Sequence, residues 1–226
     1  MLIVGSPGHG STEAGIFDPG AVGNGLNECD ITLDLCRRIK HKLAPYDVDF
    51  IILPQVSLGE RIFIANLLQA DFYLSVHVNA GGGTGFESYI WSWAHLDETI
   101  SDELQAVIHG AVVGYLNRFG VANRGQKAAN FRELRETDMP ALLLENLFID
   151  NPADAAKLKD DAFKSGLANE IAWGLVSAFN LKKRAVQDCK NCQTVNELIT
   201  DRGELFAEVT RLRQIISRAS GILTSV

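Results

Sequence analysis

The chain has 226 residues, with 21 Lys and Arg against 28 Asp and Glu, a formal charge of -7 and 46% hydrophobic residues. This is a folded globular composition rather than a disordered one, long enough for one generous domain or for a domain with an appendage. The acidic balance leaves no basic stripe to displace counterions from nucleic-acid phosphates, and no apolar run is long enough to insert across a membrane.

Met1 leads directly into Leu2-Ile3-Val4, which reads as a short buried strand before a Gly-rich turn. The charged start, long apolar stretch and small-residue cleavage site of a signal peptide are missing, so the chain is expected to fold in the cytoplasm where it is made. Ile31, Leu35, Ile39 and Leu43 recur on one face of a helix over residues 28–43, with Asn27 as its N-cap and Glu28 and Asp30 in the first turn, where the helix dipole favours negative charge. Cys29 and Cys36 lie in that helix as packing residues. Val48 to Leu53 is a second buried strand. Ser57-x-x-Glu60 is a capping box that opens a helix to about Gln69. Phe72 to Val78 and Gly85 to Trp91 follow as strands, residues 98–119 as a helix, and Pro140 to Glu145 as another apolar strand. Asn151-Pro152 then begins helical sequence that runs, with a break, to Leu181. Strands alternating with helices imply an α/β sandwich with an at least partly parallel sheet.

Charge marks a boundary. Residues 1–181 carry 13 Lys and Arg against 23 Asp and Glu, whereas residues 182–226 carry 8 against 5. The sign changes at Lys182-Lys183-Arg184, so 1–181 is taken as the main domain and 182–226 as a linker and tail. Cys189 and Cys192 form a Cys-x-x-Cys without the second pair of a zinc knuckle, which reads as two reduced thiols in a linker, with a redox switch or a shared metal as alternatives. From 194 to 223, Val195, Leu198, Leu205, Val209, Leu212, Ile216, Ala219 and Leu223 follow heptad a/d steps. That seam suggests a C-terminal helix able to join copies of the chain into a homo-oligomer, with an amphipathic helix lying on the main domain as the alternative; Gly203 weakens the seam.

In a parallel α/β sheet, ligands collect beyond the carboxyl ends of the strands. His9 follows the first strand, Glu28 starts the first helix, His77 ends the third strand and Glu145 ends the Leu142-Leu143-Leu144 strand. Four ionisable residues thus reach one rim from separate elements. Two imidazoles and a carboxylate are the ligand set of many catalytic zinc sites, which leave one position for a water whose pKa falls toward ~7. His9, Glu28 and His77 are therefore expected to hold one Zn²⁺, and Glu145 to act as general base. Asn79 and Glu87 are candidates to shape the substrate groove, with the Gly81-Gly82-Gly83 loop a rim or a plain connection. His41, His95 and His109 have no partner pattern and read as surface or packing residues.

Pro7-Gly8-His9-Gly10, Asn27-Glu28, the Arg61…Ala65-Asn66…Ala70-Asp71 stretch leading into Ser75-Val76-His77-Val78-Asn79-Ala80, Gly85-Phe86-Glu87-Ser88-Tyr89, and Leu134-Arg135-x-Thr137-x-Met139-Pro140-Ala141-x-Leu143-x-Glu145 occur in that order. Over residues 1–180 this pattern resembles the zinc-dependent N-acetylmuramoyl-L-alanine amidases of the amidase-3 type. The resemblance implies a mixed, mostly parallel sheet flanked by helices. It also implies hydrolysis of the amide between the lactyl group of N-acetylmuramic acid and the L-alanine of the peptidoglycan stem. Its zinc ligands and base fall on His9, Glu28, His77 and Glu145. Ser6 stands where family members often have Asp, which puts the orientation of His9 in question. With no recognisable signal peptide or wall-binding module, the pattern looks like a phage or prophage endolysin released to act at the cell wall, with a piece of a secreted cell-wall lytic enzyme as the alternative.

Three rivals were weighed. Gly5-Ser6-Pro7-Gly8-His9-Gly10-Ser11-Thr12 nearly fits a phosphate-binding loop, but Ser11 replaces the lysine and no helix follows at once. A silent wall-binding scaffold would not need a complete ligand set. A zinc carboxypeptidase or aminopeptidase shares the ligand chemistry and is separated only by motif order.

Overall fold

The computed structural model describes residues 1–92 and 100–184. The strands Leu2–Pro7 (β1), Asp49–Ile52 (β6), Phe72–Asn79 (β7), Phe86–Trp91 (β8), Asn123–Ala129 (β9) and Ala141–Phe148 (β10) form one sheet in the order β6-β1-β7-β10-β8-β9. β6, β1, β7 and β10 run parallel, β8 is antiparallel to β10, and β9 is parallel to β8. Between β1 and the first helix, the short strands Gly10–Ser11 (β2), Phe17–Asp18 (β3), Val22–Gly23 (β4) and Leu26–Asn27 (β5) fold a loop into two small ribbons.

The two faces of the sheet differ. Phe72, Leu74, Val76 and Val78 of β7 and Leu142 and Leu144 of β10 point into the larger core, with Ile31, Leu35 and Ile39 of α1 (Glu28–Leu43), Ile108 and Val112 of α3 (Ile100–Leu116), and Leu167 and Ile171 of α6 (Asp161–Ala178). Each fully buried Leu or Ile contributes about 1.5–3 kcal/mol, so this face carries most of the fold. The alternate residues Tyr73 and Leu143 enter a smaller core with Ile64 and Ala65 of α2 (Leu58–Leu67) and Leu134 of α4 (Arg132–Arg135). By the two-residue period of a strand, Ser75, His77 and Glu145 fall on this second face.

The capping box at Ser57 and Glu60 forms as expected. Asn27 precedes the helix but makes no side-chain cap. The first-turn amides of Glu28 and Cys29 instead donate to the carbonyls of Ala21 and Pro19, because the ribbon loop folds back over the helix end. The helix expected over 98–119 is described as α3 from Ile100, followed by a 3-10 turn at Asn117–Phe119 that stops at Gly120 in the left-handed region (φ 64°). The break expected between 151 and 181 lies at Asp160. It separates α5 (Pro152–Lys159) from α6 and caps α6 by accepting from the Ala162 and Phe163 amides. The last core strand runs three residues beyond Glu145, through a register shift with Leu147 at φ 69°. Such bulges re-aim neighbouring side chains. β9 was not anticipated, because an edge strand of sequence Asn-Arg-Gly-Gln-Lys-Ala-Ala carries no apolar run.

Lys183 bridges Tyr46, and Arg184 donates to the carbonyls of Tyr46 and Val48, so the chain stays paired to the domain beyond the boundary drawn at 181. The compact unit is Met1–Arg184, and a second unit spans Ala185–Val226. Cys189, Cys192, the 194–223 seam and His95 lie outside the described residues. Cys29 and Cys36 are buried free thiols. Among the described residues no helix is long and apolar enough to cross a membrane.

Candidate metal centre

His9, Glu28 and His77 meet at the carboxyl edge of β1 and β7. Each offers one ligand atom, and the three atoms lie within 4.8 Å of one another. His9 sits just past β1 with φ 63°, a left-handed conformation that turns its ring back over the sheet edge. Its Nε2 lies 3.1 Å from Glu28 Oε2, and its Nδ1 pairs with Asp18 Oδ2 at 2.8 Å. His77 Nδ1 lies 3.0 Å from Glu28 Oε1, and the two rings stand edge to face at 5.3 Å. Gly8 is required beside them, since a Cβ there would come within 2.6 Å of the His77 ring.

Glu28 is buried, and its first-turn position aims both oxygens at donors. Oε1 also accepts from the Val78 amide at 3.0 Å, and Oε2 from the Ala21 amide at 2.9 Å. Burial pushes its carboxyl up, but His77 and His9 outweigh burial and hold it well below the usual range. The bond to Glu28 raises His9 against burial. His77 is pushed down by burial, yet Glu133 and Glu28 lift it to about 10.

Glu145 is the neighbour of His77 in register, on β10. Its Oε2 is buried without a hydrogen-bond partner, and burial raises the carboxyl to about 7. Glu87, next in the same row on β8, is also buried. Its Oε1 accepts from Asn79 Nδ2 at 2.6 Å, and its Oε2 accepts from Arg124 Nε at 2.9 Å and from Lys127 Nζ. Asn79 and Glu87 are therefore tied to each other, and Glu87 also holds the partly exposed cations Arg124 and Lys127. Asp150 Oδ2 accepts from the Gly81 and Gly82 amides, which anchors the glycine loop. His109 is buried between Ser88 and Asn123 as a packing residue.

Four side chains at or near the site are not marked by the sequence pattern. Asp18 lies in a ribbon loop without periodicity. Glu133 stands in the charged run Arg132-Glu133-Leu134-Arg135, which reads as surface, yet it is buried on four-residue α4. Arg124 and Lys127 belong to the unanticipated β9. Ser6 is buried and accepts from Arg61 Nη1 at 3.0 Å. The carboxylate that pairs with His9 is Asp18.

The donor set fits a divalent metal. Asp18, Glu28 and Glu133 all have lowered pKa values and are ionised at neutral pH, and Arg61 is the buried cation beside Glu133. With neutral imidazoles that is three negative charges against one positive, an excess of two. The field that favours protons on His9 and His77 equally favours a doubly charged cation between them. The phosphate-loop reading falls, because Gly10-Ser11 pairs with Phe17-Asp18 in a ribbon instead of opening a helix.

Residues 3–177 match the family described as N-acetylmuramoyl-L-alanine amidase, of the amidase-3 type. The chain is 46% identical over 183 residues to a sporulation-specific N-acetylmuramoyl-L-alanine amidase of Bacillus subtilis (strain 168), covering 78% of this chain and 68% of that protein. It is 38% identical over 184 residues to the endolysin of Bacillus phage SPP1, covering 79% and 66% respectively. Among solved structures, an N-acetylmuramoyl-L-alanine amidase from Clostridium difficile 630 superposes with a TM-score of 0.71 at 28% identity, over 79% of this chain and 96% of that one. A metal-competent His-Glu-His cluster, a neighbouring carboxylate with one buried oxygen that lacks a hydrogen bond, and this match across the whole described sheet place the chain in the amidase-3 family of N-acetylmuramoyl-L-alanine amidases.

Proposed function

We propose that the protein hydrolyses the amide between the lactyl group of N-acetylmuramic acid and L-alanine in peptidoglycan, using one zinc ion held by His9, Glu28 and His77. The observation that carries this reading is the three-ligand cluster with Glu145, whose buried Oε2 has no hydrogen-bond partner, one strand away. Zinc bound there supplies a Lewis acid and lowers the pKa of water toward ~7. Glu145 takes the proton from the attacking water and delivers it to the departing L-alanine nitrogen, so the C–N bond is replaced by a carboxylate and a free amine. Its desolvated setting raises its carboxyl above the usual carboxylate range, which makes it a stronger base toward that water.

Asn79 and Glu87 act on substrate indirectly in this reading. They fix Arg124 and Lys127, whose charges face carboxylates of the stem peptide. Arg124→Ala is expected to raise KM ~10-fold with little change in kcat, the loss of one charge-assisted hydrogen bond. Initial rates on soluble muropeptides check this, and an unchanged KM removes Arg124 from the substrate site.

Purified peptidoglycan incubated with the protein should release new L-alanine amino groups. A chelator should stop that release and added zinc should restore it. New reducing sugar ends in place of amino groups would make the protein a glycosidase. The similar proteins include both a sporulation-specific amidase of a bacterium and an endolysin of a phage, which supports a role on the cell wall.

A further inference from the structure

We infer that Glu133 is the positioning residue of His77, orienting its ring and holding its proton on Nε2 so that Nδ1 is left for the metal. This rests on the zinc reading above. Tyr73, Ser75 and His77 alternate along β7 on the α2/α4 face of the sheet, and Glu133 approaches that column from α4. Its Oε2 accepts from Ser75 Oγ at 2.6 Å and from Tyr73 Oη at 3.2 Å. Those two hydroxyls fix the carboxylate, and Oε1 is left 3.4 Å from His77 Nε2. That nitrogen is buried and has no hydrogen bond of good geometry to any described group.

A carboxylate in this position needs a reason. Glu133 is buried, and a buried carboxylate carries a desolvation cost that an aliphatic side chain there would not. Arg61 adds a positive charge nearby, but its Nη1 is directed to Ser6 Oγ and the Pro7 carbonyl. His77 is the partner that Glu133 faces.

The arrangement mirrors the other histidine. Asp18 stands behind His9 at Nδ1 and leaves Nε2 toward Glu28; Glu133 stands behind His77 at Nε2 and leaves Nδ1 toward Glu28. The two imidazoles thus present opposite nitrogens to one point, and each needs its own carboxylate to select the tautomer. Partners that orient a ligating histidine typically change metal affinity by ~10–100-fold when removed.

The test is zinc affinity of the full chain, measured by competition with a chromophoric chelator. Glu133→Leu should raise the zinc Kd ~10–100-fold, whereas Glu133→Gln, whose amide oxygen still accepts from Nε2–H, should raise it less. Ser75→Ala, which frees the carboxylate without touching either histidine, should weaken zinc a few-fold and serves where the leucine variant does not fold. In the zinc-loaded wild type, a downfield Nε2–H proton of His77 should appear by NMR, move in Glu133→Gln and vanish by exchange in Glu133→Leu. If Glu133 only balanced Arg61, its variants would lower Tm and leave Kd and the imidazole signal unchanged, which overturns the inference. A wild type that takes up no zinc overturns the metal reading together with this one. A wild type that binds zinc alongside a Glu133→Leu protein of equal affinity overturns this one alone.

Discussion

Glu145→Gln is expected to keep one zinc per chain while kcat falls ~10²–10⁴-fold, the usual contribution of a positioned general base. The substitution preserves shape and removes only the group that can take a proton. Fold should not suffer, because Glu145 Oε2 is buried without a partner and its charge is a burden on the native state. The pH dependence follows from the same residue. Burial raises the carboxyl to about 7, and the base works only when ionised, so kcat/KM should rise with pH and level off above the folded pKa. A neighbouring dication favours the ionised form and moves that acid limb below 7. In Glu145→Gln the limb should disappear. Measuring kcat/KM from pH 5 to 9 with zinc content in parallel decides the matter, and normal turnover by the variant would remove Glu145 from the reaction.

Glu28→Gln is expected to lose both metal and stability. Two oxygens of Glu28 meet two imidazole nitrogens and the amides of Ala21 and Val78. A glutamine must turn its NH₂ toward one of these pairs, so a donor faces donors in a buried space, and the anion that answers His9 and His77 is gone. Removing one partner from a buried charged cluster costs about 3–5 kcal/mol, or roughly 10 °C in Tm for a domain of this size. Zinc affinity should drop by at least ~10²-fold, since a ligand and not merely its support is altered. Calorimetry in metal-free buffer separates the two effects. A variant that melts like the wild type in that buffer would mean Glu28 is not the buried acceptor described here.

The elements with long apolar repeats were legible before any coordinates. Ile31, Leu35, Ile39 and Leu43 announce α1, the runs at 72–78 and 140–145 announce the central strands, and the Ser57–Glu60 box announces α2. These are signals that neighbouring residues carry by themselves, because a helix face or a buried strand repeats within the chain. β9 and α4 were not legible: one is a polar edge strand whose pairing with β8 comes from 35 or more residues away, and the other is too short for a period. Asn27 looked like a cap, but the loop carbonyls of Pro19 and Ala21 reach the helix end first.

Four ionisable residues near one rim can be read from the chain alone, since His9 follows a strand, Glu28 starts a helix, and His77 and Glu145 lie in the carboxyl halves of neighbouring parallel strands that share an edge. Tertiary structure decided what surrounds them. Asp18 returns through a ribbon to His9, Glu133 is buried against His77 from a run that reads as surface, and Glu87 turns inward to gather Asn79, Arg124 and Lys127. The physical reason is that a charge in a chain has no environment until burial and partners are assigned. The -7 of the opening count cannot say which acids stay in water. Folding places Asp18, Glu28 and Glu133 around two imidazoles, and that local excess of negative charge is what a cation would meet.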